Sequence, residues 1–443
     1  MQPDDAKSVV HNGHERKSIP MHFCKTFLVA VALVATTGGA VAQLLPPVGG
    51  AIGQAAQGIG RLGETVGDGL SETVDRTGGL VDRLARQRIG RLDALVRRNP
   101  QALEIDERGD PAVKGELILV DATPQAVQAA TRAGFALIGQ EAIEGLDIRT
   151  ARLRAPEGMS LARAERRLRK LTPGIMVQSN PIYQPSGAAA ATPARGATAP
   201  AMRGPGAPIG LIDGGIASHP ALPAGIVQRG FARGAPAPGD HGTAIASILV
   251  GRGAVRGVSP ESRLFAADVF GPDPAGGSAL AIARALGWLT ANEVAVVNIS
   301  LAGPDNPLLA RAVAAADRRG LLMVAAVGND GAAAPPAFPA SYPQVIAVTG
   351  VDTRERPLIE AGKARHLDFA APGAGLIAAT AGGATATVRG TSYAAAFVAG
   401  RLARLSAAGR PTRAHAIALL AAEARGKGRL IGRGIVCAGC ATH

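Results

Sequence analysis

Aromatic side chains are scarce: Phe, Tyr and Trp together make up 3% of the 443 residues, and there is one Trp. Binding of single-stranded nucleic acid needs such rings interleaved with basic residues, so no nucleic-acid partner is expected, despite 47 Lys and Arg against 34 Asp and Glu and a net charge of +13. That basic excess is scattered and forms no block. Long apolar runs are also missing, since none reaches the roughly 18 uninterrupted residues that a membrane span requires. Cysteine is rare as well, with three in the chain, too few for a disulfide framework. Apolar residues, by contrast, reach 47%, enough for at least one sizeable core in a chain long enough for two or three domains.

The N-terminus reads as an export signal over residues 1–42. Arg16, Lys17 and Lys25 precede an apolar stretch from Thr26 to Ala35, and Ala40-Val41-Ala42 has the small-x-small form of a cleavage site. The signal also reads well from Met21 as the start. An exported, periplasmic or extracellular protein is expected. Cys24 would leave with the signal, and Cys437 and Cys440 would remain in an oxidising compartment, where a local disulfide is favoured over a metal site that lacks further ligands.

Residues 43–112 alternate Gly-rich spacing with amphipathic pieces and read as a leader. Gly58, Gly60 and Gly63 form a GxGxxG pattern, but no strand precedes it, and it is discounted. Residues 113–185 read as a compact β-α-β-β-α-β module of ferredoxin-like order. Its helices are expected near Pro124 to Ala133 and Ser160 to Leu171, with Ser160 as a cap. Residues 186–207 are Ala, Gly, Pro and Thr with little else apolar, a composition expected of a linker. Beyond it, over 208–430, short apolar strands alternate with Ala-rich helices, which implies a mostly parallel sheet covered on both faces. Residues 431–443 read as a tail.

Four elements in that last domain carry polar groups of chemical interest. Asp213 ends a predicted strand before Gly214 and Gly215, where an Asp-Gly turn is the plain alternative. His241 heads a helix of small residues and can act either as a base or as a structural histidine. Asn329 follows an apolar strand and is flanked by Gly328, and an Asn-Asp-Gly turn explains it equally well. Ser392 opens an Ala-rich helix after Gly390 and Thr391, which is also where a capping serine belongs.

Taken in order, Asp213, His241, Asn329 and Ser392 resemble the motifs of the subtilisin-like serine proteases, over roughly Pro208 to Arg425. The resemblance implies a three-layer α/β/α catalytic domain that hydrolyses peptide bonds through an acyl-enzyme on Ser392. His241 would act as base, Asp213 would orient it, and the Asn329 side chain would help hold the oxyanion. By the same resemblance Ser300, Leu301, Ala302 and Gly303 on one side, and Ala326 to Gly328 on the other, would flank the substrate residue before the cut. The 113–185 module would be a propeptide that assists folding and inhibits, made as part of a self-processed zymogen. Self-cleavage is expected between about Tyr183 and Pro208.

Several positions depart from the family pattern. Gly214 stands where Ser or Thr is usual, Ala244 where a second His is usual, Ala302 where Gly is common, and Ala396 where a Pro bends the helix. None removes a reacting atom. The chemistry needs no cofactor. Structural calcium is common in the family, but no loop with closely spaced carboxylates supports it here. Protein or peptide substrates, the chain's own propeptide and a monomeric state are expected. The competing class is a catalytically idle module of the same fold that binds anionic envelope components.

Overall fold

The computed structural model describes residues 83–193 and 205–438. The signal region, the GxGxxG pattern and Cys440 lie outside these residues.

The described chain begins with helix α1 over residues 83–98. It is followed by β1 (Leu103–Ile105), β2 (Pro111–Val120), α2 (Pro124–Arg132), β3 (Ala136–Ile143), β4 (Ile148–Arg154), α3 (Leu161–Leu171) and β5 (Met176–Pro181). The strands form one antiparallel sheet in which β2 pairs with β1, β4 and β5. This is the expected β-α-β-β-α-β order with one strand added in front. The sheet therefore starts inside the stretch read as leader, ten residues before the boundary inferred from sequence. Thr123 caps α2 by accepting from the Ala126 N–H, and Pro124 fits the first turn because its missing N–H has no partner there. Ser160 occupies the cap position of α3, but its hydroxyl makes no capping bond. The Leu161 N–H is instead taken by Glu104 from β1, a tertiary partner that local sequence cannot reveal.

The segment read as a linker is not a spacer throughout. Just before it Gln184–Pro185 form β6, and within it Ala188–Pro193 form β7, both paired with strands of the following domain. That domain contains β8 (Ile209–Asp213), β9 (Val227–Gly230), α4 (Asp240–Val250), β10 (Leu264–Asp268), α5 (Ala279–Ala291), β11 (Val296–Ile299), β12 (Leu301–Ala302), α6 (Pro307–Arg318), β13 (Leu322–Ala326), β14 (Val345–Val351), β15 (Phe369–Pro372), β16 (Ala374–Ala379), β17 (Thr385–Arg389), α7 (Thr391–Leu405) and α8 (Arg413–Glu423). Seven of these strands make a parallel sheet in the order β15-β14-β13-β11-β8-β10-β9. Strands β8, β10, β11 and β13 are fully buried and mostly apolar, as expected where helices cover both faces. Helices α4, α7 and α8 pack on one face and α5 and α6 on the other. The C-terminal segment is part of this body: Val436 is fully buried, Ile435 bridges to Ala370, and Cys437 is disulfide-bonded, so residues 431–438 are not a loose tail.

The N-terminal sheet docks on α5 and α6. Ile118, Val120, Ile143 and Ile148 join the apolar cluster that contains Ala285 and Leu309. Asn180 and Gln178 of β5 accept from the Leu280 and Leu308 N–H groups at 3.1 Å each, satisfying orphan donors at the starts of α5 and α6. Four ion pairs frame the contact, with the carboxylates Asp121, Glu141, Glu144 and Asp147 on β3 and on the turns that follow β2 and β3, and Arg311, Arg284, Arg229 and Arg319 on the larger domain. Among the described residues no helix is long and apolar enough to cross a membrane.

Candidate active site

Asp213 ends β8 at the carboxyl edge of the sheet, where β8 is flanked by β10 on one side and β11 on the other. A chain that leaves this edge in opposite directions opens a crevice there. Its buried carboxylate accepts the Gly214 N–H at 2.6 Å and the His241 Nδ1–H at 2.8 Å through Oδ1. Its Oδ2 is buried without a partner. Gly214 has no hydroxyl to offer it.

His241 lies in the first turn of α4. The helix can approach β8 this closely because the next residue is Gly242, where a Cβ would fall 2.3 Å from the Gly214 carbonyl oxygen. With Nδ1 donating to Asp213, Nε2 is left as an acceptor, and it is buried without a partner. The Tyr393 ring packs against the imidazole with centroids 5.7 Å apart. Burial, and then the nearby Asp213 and Asp240, push the Tyr393 hydroxyl pKa upward.

Ser392 sits in the first turn of α7, a buried helix of small residues that runs under the parallel sheet. Thr391 ties this turn to Asn329: its N–H donates to Asn329 Oδ1 at 3.0 Å and its hydroxyl to the Gly328 carbonyl at 3.1 Å. This turns the Asn329 amide nitrogen toward Gly390, where a Cβ would meet Asn329 Nδ2 at 3.0 Å and the Ser186 carbonyl oxygen at 3.2 Å.

The chain itself occupies the crevice. Tyr183 donates its N–H to the Gly277 carbonyl at 2.8 Å, β6 pairs antiparallel with β12, and Ser186 donates its N–H to the Ser300 carbonyl at 3.0 Å. The Ser186 carbonyl oxygen accepts the Ser392 N–H at 3.1 Å and also the Ser392 hydroxyl. A Cβ on Gly187 would lie 2.9 Å from His241 Nε2 and 3.3 Å from Ser392 Oγ, so imidazole and hydroxyl converge on the Ser186–Gly187 junction. After it, β7 continues in extended form along β17. Tyr183 is fully buried over Gly303 and donates its hydroxyl to the Pro304 carbonyl at 2.7 Å; burial pushes its pKa upward.

The residues selected from sequence are therefore brought together in part. Ser300, Leu301, Ala302 and Gly303 line the tail, the first three through backbone pairing, while the Leu301 side chain is turned into the core. The Ala326 side chain is fully buried in the core cluster that contains Tyr393, and Gly328 faces the Ala302 methyl group. Sequence did not single out Tyr393, Gly277 or Ser186. Tyr393 is defined by its packing on the His241 ring, and Gly277 and Ser186 are recognisable only once the tail is threaded through the cleft. Among the described residues no group of three or more His, Cys, Asp or Glu could hold a metal ion.

The architecture is that of the subtilisin-like class. Fervidolysin from Fervidobacterium pennivorans, described as a keratinolytic enzyme related to subtilisin, superposes with a TM-score of 0.61 at 18% identity, over 74% of this chain and 61% of that one. The model of the Subtilase family matches residues 204–428. Subtilisin BL of Lederbergia lenta is 34% identical over 211 residues, which cover 46% of this chain and 77% of that protein. An alkaline protease of Alkalihalobacillus alcalophilus shows the same identity over 54% of its length. The chain belongs to the subtilase family of serine proteases.

Proposed function

We propose that this protein is an exported serine endopeptidase, made as a zymogen that cuts its own chain between Ser186 and Gly187. The observation that carries this reading is the seating of Ser186, with its carbonyl oxygen on Ser392 and its N–H on the Ser300 carbonyl. In the reaction His241 Nε2 takes the Ser392 proton as Oγ bonds to the Ser186 carbonyl carbon. The charge that builds on the carbonyl oxygen is met by the Ser392 N–H and the Asn329 amide. Asp213 holds the imidazole through Nδ1 and stabilises its positive charge. The Ser186–Gly187 C–N bond then breaks, His241 returns the proton to the Gly187 nitrogen, and water releases the Ser186 carboxylate by the reverse sequence. Other extended peptides would add to β12 in the same way, through main-chain bonds that tolerate varied side chains.

In this reading the module from β1 to β5 is the propeptide, and the tail is its inhibitory arm. Full-length wild type should yield a fragment beginning at Gly187, whereas Ser392→Ala should stay at precursor mass. A wild type that remains intact and still hydrolyses peptides rejects self-processing. A processed protein that a fluorophosphonate fails to label at Ser392 rejects the catalytic assignment.

A further inference from the structure

Helix α1 precedes the propeptide-like sheet and makes its own contact with the catalytic domain. Leu84, Arg88, Arg91, Leu92 and Leu95 recur at helical spacing and so share one face. That face meets the residues immediately after Asn329. Asp330 pairs with Arg88 Nε at 3.1 Å and with the Arg91 guanidinium, and Leu84 lies 3.1 Å from where a Gly331 Cβ would stand. Leu92 and Leu95 line a cavity of about 640 Å³ together with Ser186, Ala302 and Asn329. The side chains of Arg88 and Asp330 are 22% and 33% exposed, which leaves their attraction less screened than that of an open surface pair.

We propose that residues 83–98 are a second inhibitory grip, which docks on the cleft rim at Asp330 and Gly331 and holds the pro-segment on the enzyme after the tail has been cut. The inference rests on self-processing for its timing, but the docking stands apart from it. The helix roofs the space beside Ser186, into which the side chain of a substrate residue before the cut would project. It is joined through residues 99–102 to the sheet, and through the sheet to the tail, so each grip raises the local concentration of the other. Two guanidinium groups on one carboxylate make the hold sensitive to ionic strength.

The test compares full-length proteins with and without Arg88→Gln/Arg91→Gln. Both substitutions leave with the pro-segment, so the mature enzyme is identical in sequence. In the Ser392→Ala background, amide hydrogen exchange over 83–98 should be about tenfold faster in the double variant, with exchange in β2 and β4 unchanged. With Ser392 intact, the first cut should keep its rate. The lag before full activity should shorten about fivefold and become less dependent on salt, in keeping with about 1 kcal/mol for a partly screened pair. Equal exchange over 83–98 in the two inactive precursors overturns the docking, and an equal lag in the active pair overturns the inhibitory role. Failure of the first cut in the active pair would reject self-processing, and the exchange comparison would still decide whether α1 is held.

Discussion

The carbonyl oxygen of Ser186 accepts both the backbone N–H and the hydroxyl of Ser392, two residues 206 positions apart in the chain. The pairing places a specific peptide bond, rather than a region, under the reacting groups.

Gly187 should be the least tolerant residue of the tail. A side chain there would meet His241 Nε2 at 2.9 Å and the Tyr393 ring at 3.2 Å. Gly187→Val is expected to slow the first cut at least tenfold, by holding the imidazole away from the bond, since small misplacements of reacting groups cost rates of that order. Time-resolved intact mass of the precursor measures it; an unchanged rate rejects the seating.

The Tyr183 side chain anchors the tail with a fully buried ring and a hydroxyl hydrogen bond to the Pro304 carbonyl. In the Ser392→Ala precursor, Tyr183→Ala should cost about 3 kcal/mol of stability and Tyr183→Phe about 1 kcal/mol, reflecting loss of the ring and of the hydroxyl respectively. Denaturant melts of the three proteins separate the two contributions.

Asp110 gives a pH signature. Burial, and then the neighbouring Asp106, raise its pKa to about 6 from 3.8, with Arg88 and Arg108 opposing. A carboxyl group with a raised folded pKa binds its proton more tightly in the folded state, so its contribution is fully present below pH 3.8 and is lost as pH rises through 6. Asp110→Asn should therefore stabilise the Ser392→Ala precursor at pH 7, by about 1 kcal/mol after solvent screening, and leave it unchanged near pH 4. A destabilised variant at pH 7 would contradict this.

Gly214→Ser should supply the donor that Asp213 Oδ2 lacks. The nearest atom to a Cβ at this position is 4.0 Å away on Phe270, so the side chain fits. Satisfying a buried carboxylate oxygen is worth about 1 kcal/mol of stability. Thermal melts of the Ser392→Ala precursor carrying Gly or Ser at position 214 would show the gain, and a lower melting temperature would refute it.

Much of this architecture was legible because its signals are local. The apolar strand ending at Asp213, the His-Gly-Thr start of α4 and the Gly-Thr-Ser start of α7 each carry their chemistry within a few residues. The α2 and α3 helices announce themselves by Pro124 and by amphipathic spacing. What local reading missed depends on partners far along the chain. β1 is short, and its Glu104 serves α3 across 57 positions. Residues 186–193 look like a spacer because Ala, Gly and Pro bury little, yet the Ser186 backbone bond to Ser300 and the pairing of 188–193 with β17 need no large side chain. Likewise, nothing in the Arg-rich sequence of α1 points to Asp330.

Pairing of β7 with β17 bears on what happens after the bond opens. The new amino group at Gly187 would remain aligned beside the acylated Ser392, held by strand bonds on its far side. It can therefore attack the ester again and restore the bond before water arrives. Acylation in place is then reversible, and what lets hydrolysis complete the cut is the peeling of residues 188–193 from β17. Maturation would be timed by the unzipping of one short strand of alanines rather than by the chemistry at Ser392.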